Sequence, residues 1–138
     1  MTPVCTLDAS AALSLLVKGQ ATAASRAFFV GTDRVWCAPA LLRLEVRNAI
    51  HRLERRGALG AGAADGRLRL LETMIRFVDH DEVVWLDAIV RLARAASLSV
   101  YDATYLETSR RVGASLATRD AALLRAAGEA DVATFDLR

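Results

Sequence analysis

Asp102 and Asp120 are the first residues whose type and spacing suggest chemistry. Asp102 falls in the first turn of a helix predicted to run from a Ser99 cap to a stop at Gly113, where free backbone N–H groups favour negative charge. Asp120 follows a short apolar run, Ala114 to Ala117, which predicts a buried strand. If this strand is parallel and central, Asp120 lies beyond its carboxyl end, where open α/β sheets place their sites.

Two further acids occupy comparable places earlier in the chain. Asp8 directly follows Val4 to Leu7, an apolar run rich in strand formers, although an acid there can equally cap the next helix. Glu45 lies on the apolar stripe of a helix predicted over Ala40 to Arg56. Because an ionised carboxylate removed from water is unfavourable unless it is paired or metal-bound, either an arginine or a metal cation must reach Glu45.

These four acids can meet at one edge of a parallel sheet. They are Asp8, Glu45, Asp102 and Asp120. Like charges raise one another's pKa values, so four carboxylates close together cannot all stay ionised without help. A divalent cation resolves that repulsion, and oxygen ligands without histidine or thiolate suit Mg²⁺ or Mn²⁺. Such a site can activate a water and stabilise the leaving oxygen of a phosphodiester.

The elements that position these acids alternate between strands and helices along the chain. Beyond those already given, the pattern predicts helices at Ala9 to Lys18, Ala21 to Val30, Arg67 to Phe77, Asp87 to Ala96 and Ala121 to Ala127, and strands at Val35 to Ala38, Val83 to Trp85 and Asp131 to Phe135. Pro39 is placed at the start of the helix that carries Glu45. Such alternation predicts a three-layer α/β/α sandwich with a short, mainly parallel central sheet, built as a single domain over residues 1–138.

Charge and cysteine usage limit the function without deciding it. The net charge of +2 is too small to identify a nucleic-acid binder by itself. Lys18 is the only lysine, and the arginine excess has two interpretations, phosphate recognition or the codon bias of a GC-rich genome. Cys5 and Cys37 lack metal or redox spacing, and we expect them in the core of a protein from a reducing compartment. His51 and His80 stand far apart and are interpreted as surface helix residues.

The start of the chain bears on location. The residues up to Val17 have no basic segment before the apolar ones, and they include Asp8. They therefore match neither a signal peptide nor a membrane span. We expect a cytoplasmic protein that does not associate with membranes.

In this order and spacing, four segments resemble the motifs of the PIN-domain ribonucleases, and most closely those of the VapC toxins of bacterial toxin–antitoxin pairs. The segments are Leu7 to Ser10, Pro39 to Ala49, Leu98 to Ala103 and Ala117 to Asp120. The resemblance covers essentially the whole chain. It implies a Mg²⁺-dependent endoribonuclease in which the four acids form the catalytic metal site.

The resemblance also implies supporting residues and partners. Ser10 or Thr118 is expected to support the acids by hydrogen bonding, and Arg119 is left open as either a phosphate contact or a solvated residue. Arg47 is a second candidate for contact with RNA. A usually dimeric toxin, silenced by an antitoxin encoded beside it, is the biological setting that the resemblance implies.

Apolar residues in the first two predicted helices suggest where such an antitoxin binds. They exceed what the core should need, so we expect a groove over residues 9–30 that takes an amphipathic helix, with an arginine of the partner entering the acidic site. The residues are Ala12, Leu13, Leu16, Ala24, Phe28 and Val30. Two other functions remain open: an RNA-processing nuclease without an antitoxin, and a metal-free interaction module whose acids only cap helices.

Overall fold

Five parallel strands form the sheet at the centre of this protein. The computed structural model describes residues 2–30 and 33–138. The strands are β1 (Val4–Leu7), β2 (Val35–Pro39), β3 (Ile75–Val78), β4 (Ser115–Thr118) and β5 (Thr134–Asp136). They pair in the order β3-β2-β1-β4-β5, and every pairing is parallel. The chain therefore builds outward from β1 on one side through β2, and on the other side through β4.

In the described residues, seven α-helices cover the sheet. They are α1 (Ala9–Leu16), α2 (Ala23–Phe29), α3 (Leu41–Arg55), α4 (Asp65–Met74), α5 (Val83–Ala96), α6 (Val100–Val112) and α7 (Ala121–Glu129), and a 3₁₀ turn, Lys18–Gln20, follows α1. Successive side chains of a strand point to opposite faces, and accordingly Leu116 and Ala117 of β4 pack into two different apolar clusters. The predicted α/β sandwich with a mainly parallel sheet is confirmed.

One predicted strand is wrong. Val83 and Val84, predicted as a strand, are 69% and 53% exposed and begin α5. The third strand is instead β3, most of which was predicted as the last part of a helix that ends at Phe77. The cause is that the buried residues Leu68, Leu71 and Ile75 keep helical spacing across the junction between α4 and β3. Pairing with β2, which only the folded chain provides, decides the change from helix to strand.

The remaining elements lie near their predicted places, with small differences at their ends. Pro39 closes β2 instead of opening α3, and it is paired with Val78 of β3. Ser99 caps α6 as predicted, because its hydroxyl accepts a hydrogen bond of 3.0 Å from the Asp102 N–H. Within the residues that the structure describes, no helix combines the length and apolar character needed to cross a membrane.

Candidate functional site

Asp8 and Asp120 lie at the point where the strand order reverses. Asp8 follows β1 and Asp120 follows β4, and these two strands are neighbours in the sheet although they are far apart in sequence. Each aspartate also caps a helix: Asp8 accepts from the Ala11 N–H and Asp120 accepts from the Leu123 N–H, both at 2.8 Å. Capping fixes both side chains at the carboxyl edge of the sheet, where ligands bind in open α/β folds.

Two hydroxyl groups connect Asp8 to the turn after β4. The Ser10 hydroxyl donates to Asp8 Oδ1 at 2.7 Å and accepts the Arg119 N–H at 2.9 Å. The Thr118 hydroxyl donates to Asp8 Oδ2 and accepts the Asp120 N–H at 3.0 Å. Both oxygens of Asp8 are thereby held in place. This is the geometry that a supporting role for Ser10 and Thr118 needs, although the role itself stays a prediction.

Glu45 reaches the same region from α3 and faces Tyr105 of α6. Its Oε1 atom and the Tyr105 hydroxyl are both buried and lack a hydrogen-bond partner within the described residues. The two groups are close but form no well-directed hydrogen bond. Burial, and second the nearby Glu45 carboxylate, raise the pKa of Tyr105 far above its usual range. Tyr105 is 1% exposed and stays neutral, so it packs beside Glu45 without adding charge to the site.

Electrostatic interactions link the four acids in pairs, with Asp102 as the common neighbour. Burial is the main cause that raises the pKa of Asp8 to about 6, and Asp102 raises it further. Burial and then Asp102 also raise the pKa of Glu45. The pKa of Asp102 is raised by burial and by Asp120. Each of these shifts has the direction expected for carboxylates that are crowded and partly removed from water.

No cationic side chain compensates this cluster in the described part of the chain. Glu45, Asp102 and Asp8 form no ion pair with an arginine, lysine or histidine there. In residues 2–30 and 33–138, no three histidine, cysteine or acidic side chains stand close enough together to hold one metal ion. The fit of a cation is therefore judged from donor chemistry: carboxylate oxygens, one of them buried without a partner, suit Mg²⁺ or Mn²⁺.

The two arginines predicted to contact RNA are engaged elsewhere. Arg47 pairs with Glu72 of α4, with Nη1 2.5 Å from Oε1, and it also donates to the Arg43 carbonyl. Arg119 donates from Nη1 to the Gln20 carbonyl at 2.5 Å. Neither guanidinium group points to the acids in this arrangement, and their contact with RNA stays a prediction.

Tyr105 is the site residue that sequence reasoning missed. Helical spacing predicts one face that holds Tyr101, Tyr105, Thr108 and Val112. Tyr101 and Val112 are 61% and 39% exposed, whereas Tyr105 and Thr108 are buried. The usable signal was its position three residues after Asp102, which puts both side chains on one side of α6. What remained hidden was that α3 brings Glu45 against the same side.

Comparison with known proteins decides the family. The profile of the PIN domain matches residues 5–129. This chain belongs to the PIN domain family. It is 37% identical over 116 residues to ribonuclease VapC9 of Mycobacterium tuberculosis, covering 83% of this chain and 84% of that protein. The resemblance inferred from the sequence motifs is confirmed.

Solved structures support the fold of this PIN domain. The crystal structure of PAE2754 from Pyrobaculum aerophilum superposes with a TM-score of 0.69 at 23% identity, covering 91% of this chain and 86% of that one. A toxin–antitoxin complex from Klebsiella pneumoniae gives a TM-score of 0.63 at 14% identity, with coverages of 84% and 86%. At these identities the likeness concerns the fold.

Proposed function

We propose that this PIN domain is a Mg²⁺-dependent endoribonuclease, with Mn²⁺ as a possible substitute, and that its acidic cluster hydrolyses RNA phosphodiester bonds. The observation that carries the proposal is a group of carboxylates near the edge of the sheet in which burial, and then a neighbouring acid, raise the pKa values of Asp8, Glu45 and Asp102, with no ion pair to a cationic side chain among the described residues. The identity to a VapC ribonuclease supports RNA as the substrate. The cluster consists of Asp8, Glu45, Asp102 and Asp120.

The proposed roles follow from how each acid is held. Asp8, fixed by two hydroxyls and a backbone N–H, is the most rigid ligand of the cation. Glu45 offers a buried oxygen without a partner, and Tyr105 beside it excludes water. A bound divalent cation would supply stabilisation of negative charge on the phosphate and a more acidic water. The chain itself holds the ligand side chains in fixed positions and keeps water away from them.

We further propose that the protein acts in the cytoplasm as a homodimeric toxin inhibited by an antitoxin. A solved structure that shares this fold is a toxin–antitoxin complex. The predicted groove needs correction, because Ala12, Leu16 and Phe28 are at most 6% exposed and belong to the core. Residues 9–30 leave Leu13 and Ala24 partly exposed and Val30 73% exposed.

Val30→Glu tests the remaining part of this groove. The change should weaken inhibition by the antitoxin encoded beside this protein by about tenfold or more and leave cleavage unchanged. Val112→Glu is a control, since this valine is also exposed but lies at the end of α6. Equal inhibition of both variants would remove the 9–30 groove from the proposal.

A metal-free interaction module remains the second candidate, and one observation favours it. Asp8 and Asp120 do cap helices, so part of the acidic pattern has a purely structural explanation. Cleavage of a labelled RNA by purified protein, with added Mg²⁺ and then with EDTA, separates the two functions. The nuclease proposal predicts cleavage that EDTA stops, whereas the interaction module predicts none under either condition. An RNA-processing nuclease would cleave without any neighbouring antitoxin able to inhibit it.

A further inference from the structure

A cleft outside the acidic cluster is lined by three arginines. It has a volume of about 560 Å³ and lies between α1, the 3₁₀ turn and the last two turns of α3. Leu13, Gln20 and Ala49 contribute to its walls, together with Arg52, Arg55 and Arg56. We call this feature the arginine cleft. The question is why three positive side chains share one depression.

The arginines of the cleft are uncompensated. Within the described residues, none of their guanidinium groups makes a hydrogen bond or an ion pair, whereas Arg47 pairs with Glu72 and Arg125 with Glu129. Their place at the end of α3 is favourable for positive charge, because the helix dipole is negative there. That effect explains basic residues in a last turn. It does not explain why all three line one cleft that contains no carboxylate.

Other cavities of the protein differ in this respect. The cavity between α5 and α6 includes Glu107, a third includes Glu54 and Asp65, and a fourth includes Asp131. In each of them a carboxylate shares the lining with the arginines. The arginine cleft instead keeps its positive charge available for a ligand, and a guanidinium group is the side chain best shaped for a phosphate.

The arginine cleft is connected to the acidic cluster by α3 and by a chain of hydrogen bonds. Arg52 lies about two turns beyond Glu45 on α3, roughly 10 Å along the helix axis. Gln20 lines the cleft, and its carbonyl accepts the Arg119 guanidinium at 2.5 Å. The Arg119 N–H in turn bonds to Ser10, which bonds to Asp8. One chain of contacts therefore joins the wall of the cleft to Asp8, the most buried acid of the cluster.

We propose that the arginine cleft binds a backbone phosphate of the RNA strand close to the bond that the acidic cluster cleaves. The proposal rests on the proposed nuclease function. It also answers a difficulty of that function, because a cluster of carboxylates repels a polyanion, and a neighbouring patch of positive charge offsets the repulsion. The contact is to phosphate, so it holds the strand in position and carries no sequence preference.

Binding of a labelled single-stranded RNA to the full chain, measured by fluorescence anisotropy in EDTA, tests the arginine cleft without cleavage. The test variant is Arg52→Gln with Arg56→Gln. The control is Arg67→Gln with Arg94→Gln, which removes the same charge from exposed arginines that lie outside the cleft and have no partner in the described chain. Thermal melts of both variants should match wild type, since all four side chains are exposed.

The expected result is a loss of affinity of about tenfold or more for the test variant, with the control close to wild type. The slope of log affinity against log salt should fall by roughly 0.7 for each phosphate contact removed. In Mg²⁺, the test variant should show a raised KM and a nearly unchanged kcat.

Three outcomes separate the claims. Equal RNA affinity and equal salt slope in the test and control variants would overturn the arginine cleft as a phosphate site. A test variant that loses only its binding of an antitoxin would also overturn it, and would assign the cleft to an acidic segment of a protein partner. Wild-type protein that binds RNA through the cleft but cleaves nothing in Mg²⁺ would overturn the nuclease function and support the cleft as a binding site.

Discussion

The two carboxylates of α6, Glu107 and Asp102, have opposite surroundings. Near its C-terminal end, the Glu107 side chain is 5% exposed and has two basic side chains as partners: His80 Nε2 lies 2.5 Å from Oε2, and Arg111 Nε lies 3.1 Å from Oε1 in an ion pair. Arg111 is itself held, because its guanidinium lies over the Trp85 ring and donates to the Asp79 carbonyl. Near the N-terminal end, the half-buried Asp102 forms no ion pair with another described residue, and Asp120 is the charged neighbour that raises its pKa.

The difference separates a structural carboxylate from a functional one. A buried acid whose charge is balanced by basic partners contributes to the fold, and removing it leaves those partners buried without a counter-charge. An acid surrounded by further acids is unfavourable in the metal-free chain, so the fold tolerates it where something outside the chain supplies the compensation. The comparison therefore predicts that stability depends on Glu107 and activity depends on Asp102.

Asp102→Asn should have the largest effect. The change removes the charge common to the whole cluster, and cleavage should fall to background, a loss of at least about ten-thousandfold, or more than 5 kcal/mol of transition-state stabilisation. The metal-free protein should be as stable as wild type or slightly more so, because crowding of like charge decreases. Cleavage rates and thermal melts on the same preparation check both statements. Retained cleavage would show that activity does not depend on Asp102.

Glu107→Gln should act on stability. It leaves Arg111 and His80 without their carboxylate in a nearly buried place, which typically destabilises a fold by about 3 to 5 kcal/mol. Glu129→Gln is the matched control, since its pair with Arg125 is exposed and contributes at most about 1 kcal/mol. Urea unfolding gives both values. Similar losses for the two variants would show that the Glu107 cluster is not the structural counterpart we describe.

The metal-free protein should lose stability as pH rises from about 4 to about 6. Burial raises the pKa of Asp8 from 3.8 to about 6, so the folded state keeps a proton that the unfolded chain releases. This contribution is complete below about pH 4, is lost as pH passes about 6, and amounts to roughly 3 kcal/mol. Asp8→Asn removes it. Urea unfolding in EDTA across this window should therefore give a flatter pH profile for Asp8→Asn, and parallel profiles would contradict the assignment.

Glu45→Gln should have the smallest effect on stability. Because no arginine, lysine or histidine pairs with Glu45 within the described residues, the substitution strands no partner, and we expect a change within about 1 kcal/mol. A structural ion pair would instead predict a loss of about 3 to 5 kcal/mol. Cleavage should fall steeply, since a ligand charge is removed. Thermal melting of the metal-free variant decides whether Glu45 is a metal ligand or part of a structural ion pair.

The sequence was sufficient to predict four of the five strands and the positions of Asp8 and Asp120 for a local reason. Asp8 and Asp120 each stand between an apolar strand and a helix, and both signals are contained within a few neighbouring residues. The proximity of Glu45 and Tyr105 was not predictable, because it depends on how α3 and α6 pack in the folded chain. Leu16 shows the same limit: its burial depends on the packing of α1 against α3, so a surface groove was predicted where the core lies.

Pairing across the chain was hidden as well. The four-residue spacing of Glu107 and Arg111 predicts an ion pair on one helix, but His80 comes from the segment after β3 and completes the cluster from outside. His80 was interpreted as a surface helix residue, and its side chain is 12% exposed. The sequence shows which residues can carry charge, and the fold decides which charges remain uncompensated.

Stabilisation by Mg²⁺ tests the central claim most directly, because it measures whether a cation supplies the positive charge that the acids around Asp102 lack. The melting temperature of wild type should rise with Mg²⁺ concentration, with a gain of about 2.7 kcal/mol when Mg²⁺ reaches a hundred times its Kd. Asp102→Asn should show little or no rise, while Glu129→Gln should respond as wild type does. A wild-type protein whose melting temperature ignores Mg²⁺, or an Asp102→Asn protein that is stabilised equally, would contradict the account.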